Sequence, residues 1–67
     1  MKGVYIIGDE MINLSAIKGI CMKDDFILFI AITGRNFVFD SNEYDIKQIR
    51  EQIITMQEEG FAVTRYE

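Results

Sequence analysis

The chain of 67 residues has no histidine, no tryptophan, no proline and a single cysteine, Cys21. Each absence removes a class of chemistry. Ser15, Ser41 and Cys21 have no imidazole to deprotonate them, which excludes an ordinary serine triad and a Cys–His pair. One thiol forms no intrachain disulfide, and the soft or imidazole ligands of a structural zinc site cannot be assembled around it. Cys21 is therefore expected to be a small buried hydrophobe. Phosphate loops are missing too, because Ile7-Gly8-Asp9 and Thr33-Gly34-Arg35 each hold one glycine and neither opens a helix. These absences lead us to expect no enzyme and no cofactor.

Long apolar runs are scarce as well. The longest, Phe26 to Ile32, covers seven residues, far short of the roughly 20 that span a bilayer. The N-terminus lacks the basic, apolar, small-residue order of a secretory signal, so a cytoplasmic location without a membrane partner is expected. Positive charge is neither abundant nor gathered. The seven basic residues (Lys2, Lys18, Lys23, Arg35, Lys47, Arg50 and Arg65) are interspersed with eleven acids, for a net charge of −4. This argues against a phosphate-tracking surface. Abundant isoleucine without proline, tryptophan or histidine would suit an AT-rich bacterial or phage genome.

What is present is apolar content of 49%, enough for a globular fold. We expect one domain over residues 1–67, without linker, repeat or low-complexity segment. A chain of about 60 residues buries only about 60% of the surface its unfolded form exposes. Without a disulfide or zinc to staple it, homo-oligomerisation is the remaining aid.

Val4-Tyr5-Ile6-Ile7 reads as a strand that turns at Gly8-Asp9-Glu10. The return begins at Met11-Ile12-Asn13-Leu14 and is interrupted by Ser15-Ala16 before Ile17 to Met22, which suggests a bent or bulged second strand. After Lys23-Asp24-Asp25, the run Phe26 to Ile32 is short, aromatic and β-branched, and so a strand. Gly34 suits the first central position of a two-residue type II′ turn, with Phe37-Val38-Phe39 as the fourth strand. That turn places Ile32 opposite Phe37 and Ile30 opposite Phe39. One face then carries Phe26, Leu28, Ile30, Ile32, Phe37 and Phe39, the expected core. The other carries Ile27, Phe29, Ala31 and Val38.

A helix follows, with Asp40 and Glu43 as a capping box, or Asn42 with Asp45 as the competing cap. Ile46, Ile49, Ile53 and Met56 recur at spacings of three and four and form one stripe. Gly60 suits a C-terminal cap, with Phe61 contacting Met56 as in a Schellman motif. The stretch Phe61 to Glu67 is a short edge strand or a docked tail. The fold class expected is α+β: a four-stranded antiparallel meander followed by one amphipathic helix on one sheet face, ββββα.

Three surfaces merit functional weighing. Asp24, Asp25, Asp40, Glu43 and Asp45 fall at one end of the meander and could meet a hard cation, but no EF-hand spacing is present and turns and a helix N-terminus explain them better, so no metal site is expected. Tyr5, Phe29 or Tyr66 could serve as stacking platforms for nucleic acid beside Lys18 or Arg65. The most informative surface is the second sheet face, where Ile27, Phe29, Ala31 and Val38, with Ile54 and Tyr44 off the helix stripe, are candidates for a subunit interface. The alternative covers are the C-terminal tail around Phe61 and Val63 or the first hairpin curling over.

An N-terminal hairpin, the segment Ile12-Asn13-Leu14, a hairpin turning at Thr33-Gly34 and one closing helix together resemble the layout of several small bacterial proteins, including the flagellar FlbD-like proteins. The resemblance spans roughly the first 55 residues. It carries over no function and no residue role. The function expected is a non-catalytic interaction or regulatory module, homo-oligomeric and acting through protein–protein contacts. The alternative is a nucleic-acid-associated protein in which an oligomer gathers Lys18, Lys47, Arg50 or Arg65 into one patch.

Overall fold

A computed structural model describes residues 3–61 and 63–66. Lys2, Ala62, Glu67 and the side chain of Tyr66 lie outside the described residues. The elements are β1 (Val4–Ile7), β2 (Glu10–Asn13), a 3-10 turn (Leu14–Ala16), β3 (Ile17–Met22), β4 (Phe26–Ala31), β5 (Asn36–Asp40), α1 (Ile46–Glu58) and β6 (Thr64–Tyr66). They form a two-stranded sheet, β1-β2, and a four-stranded sheet of order β5-β4-β3-β6. The class is α+β as expected, but the larger sheet is mixed, because β6 runs parallel to β3 while the other pairs are antiparallel.

The single antiparallel meander fails at Ser15-Ala16. The Asn13 side chain accepts from the Ser15 N–H at 3.1 Å and from the Ser15 hydroxyl at 2.7 Å, a local bond that competes with strand continuation. What was expected as one bent strand is therefore two strands in different sheets. The β1-β2 hairpin folds over the inner face of the larger sheet, where Ile7, Ile12 and Leu14 join one buried cluster with Ile17, Ile20, Ile27, Phe29, Ala31, Phe39, Ile46, Ile49, Ile53 and Phe61.

The β4–β5 register is the second correction. Phe37 pairs with Phe29, not Ile32, and Phe39 with Ile27. Gly34, at φ 95°, donates its N–H to the Ala31 carbonyl at 3.0 Å, while the Ala31 N–H donates to the Arg35 carbonyl at 2.9 Å. Ile32, Thr33 and Gly34 thus form a three-residue loop, with a turn followed by the glycine in the left-handed region, instead of the two-residue turn expected. An odd change of register exchanges every side chain of one strand relative to the other. The inner face holds Ile27, Phe29, Ala31, Phe37 and Phe39. Phe26, Leu28 and Ile30 share the outer face with Val38.

The helix agrees with its expected stripe, since Ile46, Ile49 and Ile53 are buried and Met56 packs against them. Its cap is neither expected pair. Asp45 is the N-cap, accepting from the Gln48 N–H at 3.1 Å, an interaction typically worth about 1 kcal/mol. Asp40 instead closes the preceding turn, its carboxylate accepting from the Asn42 N–H and its carbonyl from Glu43 and Tyr44. At the other end the Phe61 N–H reaches the Met56 carbonyl and the Gly60 N–H the Gln57 carbonyl, with Gly60 at φ 118°. This is the expected Schellman motif. The Gln57 side chain then donates to the Val63 carbonyl at 3.3 Å, which ties the helix to the approach of β6.

Candidate interaction surface

Strand alternation and register lay out the outer face of the larger sheet. Val38, Leu28 and Cys21 form a row across β5, β4 and β3, flanked by the rows Asn36-Ile30-Gly19 and Asp40-Phe26-Lys23. Phe26, Leu28, Ile30 and Cys21 are half-buried, while Val38 is 61% exposed. α1 and the β1-β2 hairpin both cover the opposite face. The outer face thus has an apolar centre of Leu28, Ile30, Val38, Phe26 and Cys21, with Asn36, Asp40, Lys23, Lys18 and Thr64 at its margin. An apolar centre with a polar rim is the usual anatomy of a protein–protein contact.

The expected interface residues divide accordingly. Ile27 and Phe29 have no exposed surface and Ala31 is 5% exposed, so the chain's own helix and hairpin cover them. Val38 stays on the open face, and Ile54 is 37% exposed on α1. Tyr44 turns inward, packing edge-on against Phe39 at 5.1 Å between ring centroids. Sequence reasoning missed Leu28, Ile30, Phe26 and Cys21 as outer-face residues. The two apolar sets on β4 look alike in sequence, and only the turn type separates them. Cys21 is half-buried and not fully enclosed.

The carboxylates do not form a site. Asp40 and Asp45 accept from backbone N–H groups, and among the described residues no three histidine, cysteine or acidic side chains gather to hold a metal. The basic residues spread over β3 (Lys18), α1 (Lys47, Arg50) and β6 (Arg65). Arg50 donates to the Lys23 carbonyl at 2.6 Å.

Comparison with family models, curated proteins and solved structures finds no match. Among the described residues no helix is long and apolar enough to cross a membrane.

A second surface feature lies on the helix side. Tyr5 sits between Phe29, at 6.4 Å between centroids, and an open cleft of about 370 Å³ lined by Tyr5, Gln48, Glu51, Gln52, Thr55 and Met56. Its hydroxyl donates to the Gln52 Oε1. Burial raises the Tyr5 pKa above its ordinary value of 10.0, because the phenolate loses hydration there. As pH rises past 10, the unfolded chain releases this proton before the folded one does. Stability is therefore fully present below pH 10 and falls as pH climbs through the folded pKa. The expected result is that Tyr5→Phe gives a shallower loss of stability above pH 10 than the unsubstituted chain in urea titrations. Parallel curves would place the cause elsewhere.

Proposed function

We infer that this protein is a non-catalytic interaction module, homo-oligomeric, which acts through protein–protein contacts made by the outer face of its larger sheet. The observation that carries this reading is the asymmetry of the sheet. The inner face packs against a helix and a hairpin, whereas the outer face presents Leu28, Ile30, Val38, Phe26 and Cys21. Two-sided apolar strands are ordinarily covered on both sides. The small size of the chain, without a disulfide, adds the thermodynamic motive, since a second copy removes apolar area from water at about 25 cal/mol per Å².

Light scattering across low to high micromolar concentration tests the reading. The mass is expected to rise above the 7.8 kDa of one chain, and Leu28→Lys, which puts a charge at the centre of the face, is expected to remove the largest species. A mass fixed at 7.8 kDa throughout overturns the reading. So does a Leu28→Lys profile identical to that of the unsubstituted chain.

A further inference from the structure

The larger sheet ends on one side at β6, three residues long, and on the other at β5, five residues long. The Ala31 N–H bond to Arg35 and the Ser41 N–H bond to Asp25 fix which β5 groups face β4. Alternation gives Arg35, Phe37, Phe39 and Ser41 to the β4 ladder. The N–H and C=O groups of Asn36 and Val38, and the N–H of Asp40, point away from the sheet. This edge contains no proline, lysine or bulge, the usual devices that keep an edge strand from pairing.

The edge is complementary to itself. An antiparallel copy related by a two-fold axis at Val38 places the two Val38 residues in a mutually hydrogen-bonded pair. Each Asp40 N–H then meets the Asn36 carbonyl of the other chain. The same register sets Arg35 level with Ser41 of the other chain, two residues short of Glu43. Along this edge runs an open groove of about 250 Å³, lined by Arg35 to Phe39 and by Glu10, Glu43 and Tyr44. Arg35 stands before β5 with its guanidinium 4.9 Å from the Phe37 ring centroid, and Glu43 stands after β5. An antiparallel copy brings the basic end of one groove to the acidic end of the other, twice over. A parallel copy would bring like to like.

We propose that the first step of self-association is pairing of β5 with β5 of a second copy, giving a continuous eight-stranded sheet with Val38 on the two-fold axis. This rests on the homo-oligomeric reading above and specifies its geometry. The dimer joins two outer faces into one apolar surface with the two Val38 side chains at its middle, and larger species form through that surface.

The test is made in the Leu28→Lys chain, where face contacts are weakened. That chain is expected to have about twice the mass of one chain at high micromolar concentration. Adding Val38→Pro removes an outward N–H that no bond among the described residues uses, a position where an edge strand tolerates proline, and is expected to give monomer with an unchanged circular dichroism spectrum. Val38→Thr, which keeps the N–H, is expected to leave the dimer. Arg35→Glu is expected to weaken the dimer at low salt, and Arg35→Glu with Glu43→Arg to restore it, a readout that holds even if the proline variant unfolds. A Val38→Pro chain that folds and remains dimeric overturns the proposal, as does a charge exchange without effect. A Leu28→Lys chain that is already monomeric overturns the edge pairing and leaves the face reading standing. An unsubstituted chain that never associates overturns both.

Discussion

Phe29→Ala is expected to remove much or all of the chain's stability at room temperature. The ring has no exposed surface and packs against both the covering hairpin and the neighbouring strand. It meets Tyr5 of the hairpin at 6.4 Å and Phe39 of β5 at 5.8 Å in an edge-on arrangement. Truncating a buried phenylalanine costs about 3–5 kcal/mol, and a chain of this size has a total stability of roughly 3–10 kcal/mol on the usual per-residue scale. The loss therefore consumes much or all of the margin. Urea titration followed by circular dichroism reads it directly. The neighbouring Leu28→Ala provides the contrast. Leu28 is half-buried on the opposite face, so in the monomer its truncation is expected to cost well under half as much. Equal losses at the two positions would contradict the face assignment.

Ile12→Ala is the second large effect and asks whether the β1-β2 hairpin is structural cover or an appendage. Ile12 has no exposed surface, although its strand belongs to a separate two-stranded sheet. A hairpin of that size is at best marginal on its own, and so it is held by what it buries. The expected cost is about 2–5 kcal/mol, as for other isoleucine-to-alanine changes in a core, with one cooperative transition. A loss below about 1 kcal/mol, or a separate early transition for the hairpin, would show that β1 and β2 fold apart from the rest.

How much of this was legible in the sequence depended on whether the deciding interaction was local. The helix stripe of Ile46, Ile49 and Ile53 and the end at Gly60 and Phe61 were readable, because a helix repeats its contacts within a few residues. The strand expected over Phe26 to Ile32 was readable from its composition, save that it ends at Ala31. Its orientation was not. Phe26, Leu28 and Ile30 are as apolar as Ile27, Phe29 and Ala31, so hydrophobic pattern gave no preference, and the choice fell to the loop around Gly34. A glycine there fits either a two-residue or a three-residue connection, and the two exchange the faces. The candidate interface inherited that ambiguity, and Val38 stayed outward while Ile27, Phe29 and Ala31 did not. Likewise, Asn13 looked like an ordinary strand residue until its side chain was seen to hold the Ser15 turn. The cap at Asp45 lost to Asp40 in the sequence reading because several acidic and amide residues compete there within one turn's reach.

The pairing of β6 with β3 has a consequence for the order in which the fold assembles. β3, β4 and β5 are neighbours in sequence and can zip from their turns, whereas Thr64 must find Gly19 across most of the chain. Contacts of such long separation bear the larger loop-closure entropy. The bond from Gln57 to Val63 holds the approach of β6 against the end of α1. The parallel strand should therefore be the last to dock and the first to leave, and in native-state hydrogen exchange its amides should open well before those of β4.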